Sequence, residues 1–202
     1  IEQAEQAAQA VLFSIPLANP FQIELAGKLL NREERFDRVV MDKKVESREA
    51  YFKFLALHVP RAQELEETSQ STWVELHQEN LAPEEQKRFQ SRLKRCEKQL
   101  AEIFTGFCIR TKVFEEFLTQ IRPLLQEIRE LLEQRNQALK GETKRHQRLD
   151  RASIQARLDA ITNQARMDPE TLLERVDQVR RAMKDAYQAK TEMVEANLRL
   201  VI

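Results

Sequence analysis

Two apolar stripes limit what this chain can fold into. Phe89, Leu93, Cys96, Leu100 and Ile103 step by four, three, four and three. Val113/Phe114, Phe117, Ile121, Leu124/Leu125, Ile128 and Leu131/Leu132 repeat the pattern. That spacing gathers the apolar side chains on one side of an α-helix. The link between the stripes, Gly106 to Thr111, is short, and short links make antiparallel neighbours. An α-hairpin is expected, with Thr111 capping its second arm. Glycine, the residue of tight turns, occurs only three times in 202 residues, which argues against a β-rich chain. The expected fold is all-α: a multi-helix bundle with an α-hairpin and a long C-terminal helix.

Start and stop signals divide the rest. From Gln6 to Gly27 the only formal charge is Glu24, so this stretch belongs in a core or under a partner. Pro16 and Pro20 break it into a helix up to about Ser14 and a second beginning with Asn19 as cap and Pro20 in the first turn. Gly27 reads as an interior glycine or an early stop. Ser47 caps a helix with Tyr51, Phe54, Leu55, Leu57 and Val59, which Pro60 kinks or ends. A polar helix follows from Ala62 to about Asn80. Its Glu64–Ser71 stretch is nearly free of apolar residues and reads as exposed or as a hinge. Pro83-Glu84-Glu85 opens the first striped helix. Pro123 should kink the second, and Gly141 should end it. A helix with Ile154, Leu158 and Ile161 runs from Ser153 to about Gln164. Asp168-Pro169-Glu170 then starts a helix of more than 30 residues.

Charge and chemistry exclude more than they assign. The 33 basic and 33 acidic residues cancel, so any attraction to nucleic acid must be local. No run of about 18 apolar residues exists, and no membrane span is expected. Cys96 and Cys108 read as semi-buried thiols of a reducing, cytoplasmic compartment. A disulfide between them stays open if their helices pack. His58, His77 and His146 stand apart from one another and from the cysteines, so no metal is expected. No nucleophile elbow or glycine-rich phosphate loop is present, and no cofactor is implied. The carboxylates have basic neighbours at helical spacing, as on a solvated face. An enzyme is not expected. Lys140, Lys144, Arg145, Arg148 and Arg151 could touch phosphates, although Glu142 and Asp150 interrupt them and a solvated loop fits as well. Trp73, the only tryptophan, suits either an interface or packing between helices.

The chain end is more specific. Val194, Leu198 and Val201 make an apolar stripe, for which Asn197 and Arg199 are not needed. The run Lys190-Thr191-Glu192-Met193-Val194-Glu195-Ala196-Asn197-Leu198-Arg199-Leu200-Val201-Ile202 resembles the opening of conserved region two of primary (housekeeping) sigma factors of bacterial RNA polymerase. Thr191 stands where that family usually has Lys. Glu102-Ile103-Phe104 through Phe107, with Phe114 and Phe117, resembles a helical pair of the variable insert before region two, and Asp168 to Asp185 its lead-in helix. Ile1-Glu2-Gln3 is similar to the end of the preceding conserved region. The resemblance implies the end of conserved region one and following helices over 1–32, the variable helical insert over 33–188 and the start of region two over 189–202. The chain then reads as a piece of a longer protein. The long acidic tract of some family members is absent.

The resemblance also implies partners. A sigma factor joins core RNA polymerase and directs it to promoter DNA for transcription initiation. By resemblance, Asn197 and Leu200 line a pocket for a flipped base of the non-template strand: an amide reads a base edge and an aliphatic wall packs on its face. The insert is associated with the largest catalytic subunit of core polymerase, and the polar helices before Pro83 are candidates for transcription regulators. Two other readings remain: an α-helical adaptor that self-associates through its stripes, and a stand-alone nucleic-acid binder using Lys140 to Arg151, with Lys144, Arg145 and Arg148 as possible phosphate contacts.

Overall fold

The caps legible in the sequence hold where a side chain can reach the helix start. Ser47 Oγ accepts the Ala50 N–H at 3.1 Å, and Asp168 Oδ2 accepts that of Thr171 at 3.0 Å. In a computed structural model describing residues 2–41, 45, 47–78, 80–140 and 151–201, the helices are α1 (Glu2–Phe13), α2 (Asn19–Leu30), α3 (Phe36–Val39), α4 (Arg48–Leu76), α5 (Pro83–Gly106), α6 (Phe114–Gln120), α7 (Arg122–Lys140), α8 (Arg151–Ala165) and α9 (Pro169–Val201). Short 3-10 turns cover Pro16–Ala18 and Thr111–Val113. The only β pairing among the described residues is an isolated antiparallel bridge between Val40 and Ile109. The chain is an all-α multi-helix bundle with a long last helix, as its periodicity predicts.

The α-hairpin is present, but its arms are α4 and α5. Tyr51, near the start of α4, donates its hydroxyl to the Phe107 carbonyl just past α5 at 2.6 Å. At the other end, Arg92 of α5 lies 3.8 Å from Glu75 of α4. These contacts make the two helices antiparallel and replace the expected pairing of the two stripes with each other. Pro60 neither ends α4 nor separates it from a second helix. A proline inside a helix costs about 3 kcal/mol through its lost N–H and its ring clash. Leu55, Val59, Ala62 and Leu65 are buried on either side of it, and that burial offsets the cost. The Glu64–Ser71 stretch is not an exposed hinge: Leu65, Glu66 and Ser69 are buried, with Thr72 beyond them.

Three local expectations change with tertiary context. Asn19 does not cap α2; it is the first helical residue, and its amide reaches across to Glu66 Oε2 at 2.9 Å. Thr111 caps nothing, because it lies inside a 3-10 turn with its hydroxyl buried. Pro123 divides rather than kinks: α6 ends at Gln120, and the proline sits in the first turn of α7, where no intrahelical N–H is needed. Gly27 is interior to α2. Gly141 lies outside the described residues.

The remaining helices close around the hairpin. α1 runs antiparallel to α9, with Lys190 Nζ 2.5 Å from Glu5 Oε1. α7 and α8 are antiparallel, joined by Arg157 and Glu127 at 2.5 Å. Arg135 of α7 meets Glu170 at the start of α9. One contiguous core runs from Leu12 to Val179, with Phe104, Phe107 and Phe114 at its centre. The Phe104 and Phe107 ring centroids are 5.7 Å apart. Each such side chain contributes on the order of 1.5–3 kcal/mol through burial. The nearly uncharged N-terminal stretch is buried at Ala8, Leu12, Ile15, Ala18, Ile23 and Leu25. No described helix is long and apolar enough to cross a membrane.

Candidate functional site

The residues singled out by sequence fall in two places. Asn197 and Leu200 lie on the last turns of α9. Leu172, Val176 and Val179 bury that helix in the core, and Ala186 is its last buried residue. Beyond the Lys190–Glu5 pair the described side chains of α9 are exposed: Met193 is 49%, Val194 52% and Leu198 60% accessible. Asn197 and Arg199 are exposed with them.

Lys144, Arg145 and Arg148 lie outside the described residues. Arg151, the last of that basic stretch, opens α8, and its guanidinium donates to the Ala138 carbonyl near the end of α7. That end of α7 lies beside the start of α9. The 27 residues from Glu170 to Asn197 span roughly 40 Å of helix. Arg151 and Asn197 are therefore not parts of one site.

The other candidates serve packing. Trp73 is half-buried; its Nε1–H donates to Asn163 Oδ1 at 3.3 Å and its ring lies over His77. His58 stacks on Phe54 with centroids 3.9 Å apart. His146 is outside the described residues. Cys96 is buried and Cys108 half-buried, each as a thiol. Among the described residues, no group of three or more His, Cys, Asp or Glu could hold a metal ion.

Three polar features lie outside these candidates. Arg166 and Glu66 form an ion pair in which both side chains are 7% exposed. The same guanidinium donates to Ser69 Oγ at 2.9 Å and to the Pro16 carbonyl at 3.1 Å. It joins the α8–α9 turn, α4 and the segment before α2. No spacing rule connects residues 100 positions apart. The second feature is a groove of about 850 Å³ between α1 and α5, lined in part by Gln6, Phe13, Glu97, Glu102, Met167 and Arg175. Glu97 reaches solvent, but burial by the groove walls pushes its carboxyl above the ordinary value, with Arg166 and Lys94 opposing.

The third feature is the outer face of α5, where Lys87, Arg88, Arg92, Lys94, Arg95 and Lys98 are all exposed. Arg88, Arg92 and Arg95 border a second concavity of about 490 Å³ with Glu75, Phe89 and Ser91. A charge count over a short window would have exposed this face; the neutral total conceals it. No protein-family model and no solved structure matches the chain.

Proposed function

We propose that the chain is a stretch of a primary sigma factor of bacterial RNA polymerase. It carries most of a helical insert and the opening of the promoter-reading region. The run Lys190–Ile202 is the observation that carries this reading. Within it, Asn197 and Arg199 answer no packing need, because both are exposed on a helix whose buried face ends before them. An exposed amide on a helix is suited to read a base edge. By the same resemblance, Leu200 is assigned the aliphatic wall of that base pocket. The helical body holds α9 and offers surfaces for the largest subunit of core polymerase and for transcription regulators.

The test is promoter-dependent transcription by core polymerase supplied with the parent protein. Asn197→Ala should lower open-complex formation about tenfold, equivalent to the loss of one good base contact of about 1.4 kcal/mol. Unchanged open-complex formation would sink the assignment of Asn197. Failure of the wild-type parent to bind core polymerase would sink the reading as a whole.

A helical adaptor is the second reading. It draws on Met193, Val194 and Leu198, an exposed apolar stripe of the kind that pairs with another helix. Stable dimers in sedimentation, together with no activity on core polymerase, would favour it.

A further inference from the structure

The middle of α5 carries an unbalanced charge in a chain whose total is zero. Between Lys87 and Lys98 stand six basic residues and one acidic residue, Glu97. All six basic side chains are exposed. Arg88, Arg92 and Arg95, spaced by four and three, form one row on the helix. Lys87, Lys94 and Lys98 form a row beside it. The acidic groups around them are few: Glu84 and Glu85 open the helix, Glu102 follows Lys98 by one turn, and Glu75 reaches over from α4. Glu75 stands 3.8 Å from Arg92, with the two side chains 41% and 50% exposed, a separation and exposure that neutralise little. Among the described residues, Arg88 and Arg95 have no ion-pair partner.

Like charges three and four apart repel along a helix, as Arg88, Arg92 and Arg95 do in the middle of α5, while Glu84, Glu85 and Glu102 stand only at the ends of the rows. An anion along the rows would turn the repulsion into attraction. Guanidinium forks match phosphate oxygens in shape as well as charge. From Lys87 to Lys98 the rows cover roughly 16 Å, the length of several successive phosphates on one strand. The face has little apolar surface; Phe89 is half-buried among the arginines. An interface with an acidic protein would need an apolar centre, whereas a phosphate backbone needs none.

We propose that the Lys87–Lys98 face of α5 docks on the phosphate backbone of duplex DNA without reading sequence. The choice of DNA over RNA rests on the sigma-factor reading; the phosphate contact does not. On this view the chain holds DNA at two separate places, a sequence-blind one on α5 and a base-reading one at the tip of α9.

The experiment is fluorescence anisotropy of the 202-residue chain with a labelled duplex of scrambled sequence, titrated at several salt concentrations. Micromolar, salt-sensitive binding is expected, in the range of about 10⁻⁴–10⁻⁶ M. The triple variant Arg88→Gln/Arg92→Gln/Arg95→Gln should weaken it at least tenfold and reduce the salt slope by about 3. Glutamine keeps good helix propensity, and circular dichroism checks that the variant is folded. Binding by the folded variant equal to wild type overturns the proposal, as does absence of binding at low salt. Displacement by poly-glutamate as effective as by heparin also overturns it, by identifying an acidic polypeptide as the partner. Tighter binding to an RNA duplex overturns the choice of DNA. The sigma-factor reading is judged separately, by the parent protein with Asn197→Ala on promoters, so either idea can fail while the other stands.

Discussion

Tyr51 and Glu97 show how neighbours remote in sequence change a side chain's chemistry. Burial, with Cys108 nearby, holds the Tyr51 phenol well above its usual range, and its hydroxyl serves as a donor to the Phe107 carbonyl. Tyr51→Phe removes the donor and leaves a buried carbonyl unpaired. A loss of about 1–2 kcal/mol is expected in denaturant unfolding. Glu97 works in the opposite sense. Its folded value lies above the ordinary 4.5, so ionisation disfavours the fold. The penalty is absent in acid, appears as pH rises past the ordinary value and is complete above the folded one. Glu97→Gln should therefore raise the thermal midpoint near neutrality and leave it unchanged below the carboxylate range. An equal shift at both would show that the gain is not electrostatic.

At the scale of the element, starts are more legible than ends. Ser47, Pro83 and Asp168 mark their helices by side-chain or ring chemistry that acts within three residues. Glycine after a helix is the usual stop, and this chain largely does without it. α2 ends on Arg32 at φ 60° and α8 on Arg166 at φ 52°. Around them, Glu33 N–H donates to the Lys28 carbonyl at 2.8 Å and Met167 N–H to that of Thr162 at 3.3 Å. These are the six-to-one bonds of a Schellman stop, made without glycine. At position 166 the left-handed backbone is accepted because the side chain is needed inside the core. Gly27, by contrast, has open space where a Cβ would stand. Gly27→Ala should stabilise the protein by about 0.5–1 kcal/mol in chemical denaturation. A loss of stability there would mean that α2 packs more tightly than its surroundings indicate.

For the whole molecule, helical content and most core residues follow from periodicity, because the apolar stripes are local. Which helix pairs with which does not, because α1 with α9 and α4 with α5 are chosen by faces that no spacing compares. The Glu66–Arg166 pair shows the limit best. Glu66 lies in the polar Glu64–Ser71 stretch, where nothing local marks it for burial, and its partner lies 100 residues away. Glu66→Ala leaves a buried guanidinium without its counter-charge and should cost about 3–5 kcal/mol. Replacing both residues by apolar ones of similar volume should recover most of that loss, as a double-mutant cycle in urea would show. The candidate site is legible to the extent that Asn197 stands in a recognisable run, whereas the basic face of α5 shows only when charge is counted over a short window, because the neutral total hides it.

The overhang of α9 past Lys190 acts as a cantilever. From Lys190, where α1 last holds α9, to Asn197 the overhang is roughly 10 Å long, so a bend of about 20° at that point carries the tip roughly 4 Å, about one base step along a strand. The clamp at its root is Glu5 of α1. A partner that shifts α1 would thus re-aim Asn197 without touching α9.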